Sequence, residues 1–324
     1  MSDRETVDFL AGVPLLAGRD EADLAELARV MRRRTVQEGE TLWRQGDDPR
    51  ELALIVDGTV SASVQVTGGR AAEIGRSGRG EIVGLIGVLD GEGHATSVRV
   101  TETATVLALG RLDFAALLAG QQPSAFRLKR HLATLLAARL RSQLGYLAVS
   151  LGGASAGPPA LEAAEICDDL EDARAPDSRY VRRMATFHDF DPLALWGFLT
   201  SGSYVQCPPG RTLVAEGAPS DAYYLTINGA VEQVLARGDR RIRVGLAGPG
   251  MAFGYEGLID GAPSPVAAIT RERAILLILP CDVFSRLFHR EHAVSRVFLE
   301  AIQRDLLATL RQTLRPLARL TASV

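Results

Sequence analysis

The stretch Glu38-Gly-Glu-Thr-Leu-Trp-Arg-Gln-Gly46 returns later in the chain as Pro209-Gly-Arg-Thr-Leu-Val-Ala-Glu-Gly217. Downstream, Leu54-Ile-Val-Asp-Gly-Thr-Val60 returns as Leu225-Thr-Ile-Asn-Gly-Ala-Val231, so Gly39, Gly46 and Gly58 recur at one constant offset as Gly210, Gly217 and Gly229. Gly80, Gly84, Asp90-Gly91 and Phe114 then recur as Gly250, Gly254, Asp260-Gly261 and Phe284, at an offset one residue shorter. Surface hairpins absorb such a loss best, which points to Thr67–Arg70 or its counterpart Arg237–Arg240. A period this long, kept this strictly, means that one fold is written twice.

Each copy reads as short strands punctuated by glycine. Asp57-Gly58 lies between Glu51–Val56 and Thr59–Val66, and Asn228-Gly229 between Tyr223–Ile227 and Ala230–Leu235. Both pairs suit a type I′ turn, whose central residues need positive φ, so a hairpin is expected at each. Strands at this spacing imply an antiparallel roll. The period then changes. Apolar residues at 125, 128, 132, 135, 140, 144 and 147, and again at 294, 298, 302, 306, 310 and 314, fall at helical intervals. The expected fold is mainly β with flanking α: two antiparallel, jelly-roll-like β-rolls, each followed by a long C-terminal helix. The first domain spans 1–150 and the second 179–324. Residues 151–178 read as a linker, from the Gly/Ala/Pro-rich run at 152–160 and the acidic run at 162–171.

Two domains also suit the length, since a single core stops growing at roughly 250–300 residues and this chain has 324. The formal net charge of −3 is the wrong sign for a protein that lives on nucleic acid or an anionic membrane. Arg32-Arg33-Arg34 and Arg240-Arg241 read as solvated surface, and Arg182-Arg183 as the polar face of a helix. Cys167, Cys207 and Cys281 form no CxxC pair, which argues against a zinc ribbon or a thioredoxin-like site. His289-x-x-His292 lacks a third ligand, so no metal is expected, and no haem-attachment motif accompanies the five histidines. The N-terminus does not open as a signal peptide, and no apolar run approaches the ~18 residues of a spanning helix. A cytoplasmic protein is expected. It has neither a nucleophile elbow nor a glycine-rich phosphate loop, so it reads as a non-enzyme.

The pattern Gly-x-x-Leu-x-x-x-Gly at 39–46 and 210–217, with Gly58, Gly229, Gly80…Gly84 and Gly250…Gly254, resembles the cyclic nucleotide-binding domain family. That family includes the cyclic AMP receptor protein, the fumarate–nitrate regulator and protein kinase A regulatory subunits. The resemblance implies a β-roll ending in a long helix. It also implies a pocket in which an arginine and backbone N–H groups hold a phosphate and a glutamate holds the ribose hydroxyl. The family pattern runs Gly-Glu-Leu-Ala-Leu, then Pro-Arg-x-Ala-Thr-Val. In the first copy Gly84 is followed by Leu85 where the glutamate belongs, and His94 stands in the arginine place ahead of Ala95, Thr96 and Ser97. Leucine cannot accept a hydrogen bond, and histidine lacks the guanidinium fork. In the second copy Gly254 is followed by Tyr255, with Glu256 one position late; Ser264 stands in the arginine place, and Pro265 removes an N–H from the cradle. The second pocket therefore reads as degenerate, and the first as the better candidate for any ligand.

In bacterial members of the family the long helices pair across a homodimer. Here both lie in one chain, so Leu128, Leu132 and Leu135 are expected to face Phe298, Ile302 and Leu306, and one molecule imitates a dimer; a homodimer through the second helix is the alternative. The chain runs out at Val324, soon after Arg315-Pro316, so no helix-turn-helix and no direct DNA binding are expected. Two functional readings result. The first is a non-catalytic regulator or adaptor without a cofactor, acting through protein–protein interaction and open to modulation by a ligand in the first roll. The second is a sensor of a cyclic mono- or dinucleotide, with the first domain as its site. A preformed anion hole at His94–Val98 favours the sensor, and a filled apolar pocket the adaptor.

Overall fold

The computed structural model describes residues 3–65, 71–152, 170–237 and 240–321. They form two compact units, Met1–Leu132 with Leu317–Val324, and Ala133–Pro316. The first opens with α1 (Asp3–Ala11), a 3-10 turn (Pro14–Leu16) and α2 (Glu21–Val30). Asp20 caps α2 by accepting from the Asp23 N–H. Then come β1 (Arg32–Val36), β2 (Thr41–Trp43), β3 (Glu51–Gln65), β4 (Ala71–Ser77), β5 (Ile82–Val83), α3 (Leu85–Asp90), β6 (Ser97–Gly110), α4 (Arg111–Ala119) and the start of α5 (Pro123–Gly152).

The rest of α5 belongs to the second unit. There it is followed by β7 (Glu171–Asp172), α6 (Ser178–Val181), α7 (Pro192–Leu199), β8 (Ser203–Cys207), β9 (Thr212–Val214), β10 (Ala222–Asn228) and β11 (Val231–Arg237). The unit continues through β12 (Arg240–Ala247), β13 (Ala252–Phe253), α8 (Glu256–Asp260), β14 (Ala267–Thr270), β15 (Ala274–Pro280), α9 (Cys281–His289) and α10 (Ala293–Thr321) as far as Pro316.

The strand pairing is antiparallel throughout and repeats between the units. In the first, the long strand β3 pairs with β6 along its length and carries β5 and β4 on its other edge, while β6 also holds β1 and β2. In the second, each long strand is divided in two, giving the sheets β13-β10-β15-β8-β7 and β12-β11-β14-β9. The inward faces make the cores: Val36, Trp43, Ala53, Ile55, Val60, Val83, Val98, Val100, Ala104 and Val106 in one roll, and a set around Val205, Leu213, Tyr224, Phe253 and Leu276 in the other. Two β-rolls with flanking helices are the observed fold.

The hairpins at Asp57-Gly58 and Asn228-Gly229 are absent. β3 runs unbroken through Gly58, with register shifts against β6 on either side of it. Gly229 lies where the chain leaves one sheet for the other, and β10 and β11 do not pair. Both glycines have φ of 84°, so the conformational demand read from the sequence is real, but it bends a strand instead of reversing it. The reversals fall at Gln65 opposite Ala71 and Arg237 opposite Arg240, between which residues 66–70 and 238–239 lie outside the described residues. So does 153–169, most of the expected linker, although Glu171-Asp172 pairs with β8. Among the described residues no helix is long and apolar enough to cross a membrane.

Candidate functional site

In the first roll Gly84, at φ 81°, turns the chain from β5 into α3. A Cβ there would stand 2.8 Å from Trp43 Cζ2 and 3.3 Å from the Glu51 carbonyl oxygen, so the close approach demands glycine. After α3 the chain returns through Gly93 and is fastened to the repeated motif by two backbone bonds. The His94 N–H donates to the Asp47 carbonyl at 2.9 Å, and the Gly46 N–H donates to the His94 carbonyl at 2.9 Å. His94 is 4% exposed, and its ring lies flat on Trp43 at 4.4 Å and 8°. Trp43 belongs to the roll's core, so its indole fills the space between Gly84 and His94. The Trp43 Nε1 is buried without a hydrogen-bond partner among the described residues. Leu85 and Ala95 are buried, while Ser97 Oγ already accepts from the Gln45 N–H at 2.9 Å. Thr96 is half-buried.

A half-open cavity of about 520 Å³ reaches Trp43 and His94 from the flank. Its charged lining is Asp47, Asp48, Glu51 and Asp113 against Arg32 and Arg50. Arg50 is engaged with Asp48 at 3.0 Å. Carboxylates outnumber guanidinium groups, which is the wrong balance for a phosphate.

The second roll keeps the framework. The Gly217 N–H donates to the Ser264 carbonyl and the Ser264 N–H to the Ala218 carbonyl, both at 2.8 Å, so Ser264 and His94 are structural counterparts. Ser264 Oγ donates to the Val266 carbonyl at 2.8 Å. A Cβ on Gly254 would meet Val214 and Tyr224 at 3.0 and 3.1 Å. Tyr224 stacks on Phe253 at 5.1 Å, so this interior is filled as well.

The family model of the cyclic nucleotide-binding domain matches residues 33–121 and again 204–291, together more than half of the chain. The chain belongs to the cyclic nucleotide-binding domain family. This tandem cyclic nucleotide-binding domain protein is 36% identical over 135 residues to the cyclic AMP receptor protein of Thermus thermophilus, covering 41% of the chain and 59% of the relative. It is 29% identical over 106 residues to a cyclic nucleotide-gated potassium channel of Mesorhizobium japonicum, covering 33% of the chain and 28% of the channel. The chain thus spans less than two thirds of either relative. Among solved structures, the regulatory domain of Toxoplasma gondii PKA with cAMP matches at TM-score 0.35 and 18% identity, covering 89% of this chain and 92% of that one.

In the second cyclic nucleotide-binding domain, Tyr255 and Glu256 do something the sequence does not announce. Tyr255 is 1% exposed, and its hydroxyl donates to Asp305 Oδ2 at 2.5 Å; Asp305 Oδ1 accepts from the Ala252 N–H at 2.8 Å. A buried carboxyl on α10 therefore holds both ends of the β13–α8 turn. Desolvation pushes the Asp305 carboxyl up to about 7, although the two hydrogen bonds pull the other way. The Tyr255 hydroxyl is raised well above its usual range, first by burial and then by Asp305. Burial also raises Glu256, against the pull of Arg141, and Glu256 Oε2 has no hydrogen-bond partner among the described residues.

Arg141, on α5, reaches the other end of α8. Its Nε and Nη2 pair with the two carboxylate oxygens of Asp260 at 2.6 and 3.0 Å, and Nη1 donates to the Pro263 carbonyl at 2.8 Å. Such bidentate pairs are geometrically strict. Arg141→Ala is expected to lower stability by only about 1 kcal/mol, because the pair is partly solvated. It should also raise amide exchange in residues 256–266 selectively, a change that hydrogen-exchange mass spectrometry reads.

In the first roll Trp43 lies against both Gly84 and His94, whereas in the second Tyr255 engages Asp305 and Ser264 engages the Val266 carbonyl. What sequence reading missed is Trp43, Asp305 and Arg141. Trp43 was visible as the aromatic replaced by Val214 in the second copy, and Asp305 as an acid set among the apolar positions of α10. Nothing in the sequence singles out Arg141.

Proposed function

We propose that this tandem protein is a non-catalytic cytoplasmic regulator or adaptor that works through protein–protein contact. In it, both cyclic nucleotide-binding domains have replaced the nucleotide with their own side chains. The observation that supports the reading best is the indole of Trp43 stacked on His94 inside the first roll, with Tyr224 on Phe253 filling the second. By the criterion set from the sequence, a filled pocket favours the adaptor. The long helices α5 and α10 fit pairing within one chain. In the second unit Thr313 Oγ1 on α10 donates to Gln143 Oε1 on α5 at 2.8 Å. Of the residues expected at the seam, Phe298 packs instead within its own unit, on Phe198, Tyr223 and Phe284 at ring separations of 5.8, 5.4 and 5.3 Å. A cyclic mono- or dinucleotide sensor is the second reading, favoured by the flank cavity that reaches His94.

Isothermal titration calorimetry of the full chain with cyclic AMP, cyclic GMP and cyclic di-GMP separates the two. The adaptor reading expects no saturable heat with any of them. Saturable binding that disappears in His94→Ala would establish the first roll as a live sensor.

A further inference from the structure

On the second unit, α7 and α9 present a surface that the pockets do not account for. α7 buries Ala194, Leu195, Phe198 and Leu199, yet Leu193 and Trp196 on its other side are 75% and 58% exposed. Immediately after α7, Thr200 and Ser201 line a half-open cavity of about 400 Å³ with Val283, Arg286, Leu287, Arg290 and His292. No carboxylate lines it. The pairing nearby is weak or directed elsewhere: Arg286 lies 3.5 Å from Asp282 with both side chains mostly exposed, and Glu291 is taken by Arg296. The hydroxyls of Thr200 and Ser201 donate to the backbone of α7, which leaves the guanidinium groups as the donors for an incoming anion.

A small oxyanion would use the arginines alone. It would have no use for the apolar floor of Val283 and Leu287, nor for an exposed indole one turn away. An acidic peptide carrying an apolar side chain uses all of them, and tryptophan and arginine are the residue types that most often dominate interface energies. Charge complementarity and the adjoining apolar ridge therefore select the same occupant. We propose that the α7–α9 face docks an acidic segment of a partner protein, with carboxylates on Arg286 and Arg290 and an apolar side chain against Leu193 and Trp196. This deepens the adaptor reading and rests on it.

The test is selection of a random linear-peptide display library on the full chain, followed by affinity measurement with a synthetic peptide from the winners. Selected peptides should be rich in aspartate and glutamate around an apolar residue. Their affinity should fall at least about tenfold in Arg286→Glu/Arg290→Glu and in Trp196→Ala, and it should weaken with added salt. These side chains are exposed, so the variants should unfold at the wild-type temperature. The proposal is overturned if no such peptides are enriched, or if their binding ignores these substitutions. It is equally overturned if the same substitutions instead abolish binding to phosphatidylserine vesicles, saturation by inorganic phosphate, or self-association of the chain. Nucleotide titrations on the same samples read the adaptor proposal separately: nucleotide heat removes that reading, whereas a failed selection without nucleotide heat removes only this surface.

Discussion

Asp305→Ala should destabilise the second unit by about 2–4 kcal/mol, because it leaves the Tyr255 hydroxyl and the Ala252 N–H buried without an acceptor. Urea unfolding followed by tyrosine and tryptophan fluorescence would measure it; a loss under about 1 kcal/mol would mean that water replaces the carboxyl without penalty. The more discriminating variant is Asp305→Asn, because of its pH dependence. The folded chain keeps a proton on Asp305 up to about pH 7, whereas the ordinary carboxyl value is 3.8. Between those values the unfolded chain has released the proton and the folded chain has not. Stability is therefore fullest below the lower value, declines as pH rises through the window, and levels off above the upper one. The decline approaches about 1.4 kcal/mol per pH unit at its steepest. Asp305→Asn removes this component, so the variant should gain on the wild type as pH rises from 4 to 7. Glu256, also raised by burial, adds a decline of the same sign that survives in the variant. A constant difference between the two proteins across that range would show that Asp305 is ionised throughout.

Gly58→Ala is the second large effect, and Gly229→Ala is its twin. A Cβ at Gly58 would lie 2.5 Å from the Thr103 carbonyl oxygen and 2.6 Å from Ala104 Cα; at Gly229 it would lie 2.5 Å from the Arg273 carbonyl oxygen and 2.8 Å from Ala274 Cα. The neighbours are backbone, so nothing can swing aside. Positive φ adds its own penalty, and each substitution should cost about 3–5 kcal/mol. Gly46→Ala is the internal control: its φ is 87°, but a Cβ there meets nothing within 4 Å. It should cost only about 1–2 kcal/mol, the conformational part alone. If all three variants unfold at the same denaturant concentration, the close approach at the strand bend is not what demands glycine.

The same glycines show how far sequence reading reaches. The repeat was legible because positive φ is a demand that few residues meet, and Gly39, Gly46, Gly58 and their counterparts mark it twice. The local shape was not legible, since a type I′ turn and a bend in a continuous strand ask the same thing of Gly58. The departures from the family pattern were visible in Leu85, His94, Tyr255 and Ser264. The packing around them was not, because Trp43 occupies an ordinary inward-facing strand position whose importance depends on what folds over it. Asp305 and Arg141 act across long sequence separations, on the two ends of α8, to which no local pattern connects them.

The helix α5 carries a consequence for how such a chain can be divided. Its residues up to Leu132 cluster with the first unit and those from Ala133 with the second, while the end of α10, from Leu317, clusters with the first. A cut within residues 153–169 would therefore separate residues 133–152 of α5 from the second compact unit and residues 317–321 of α10 from the first.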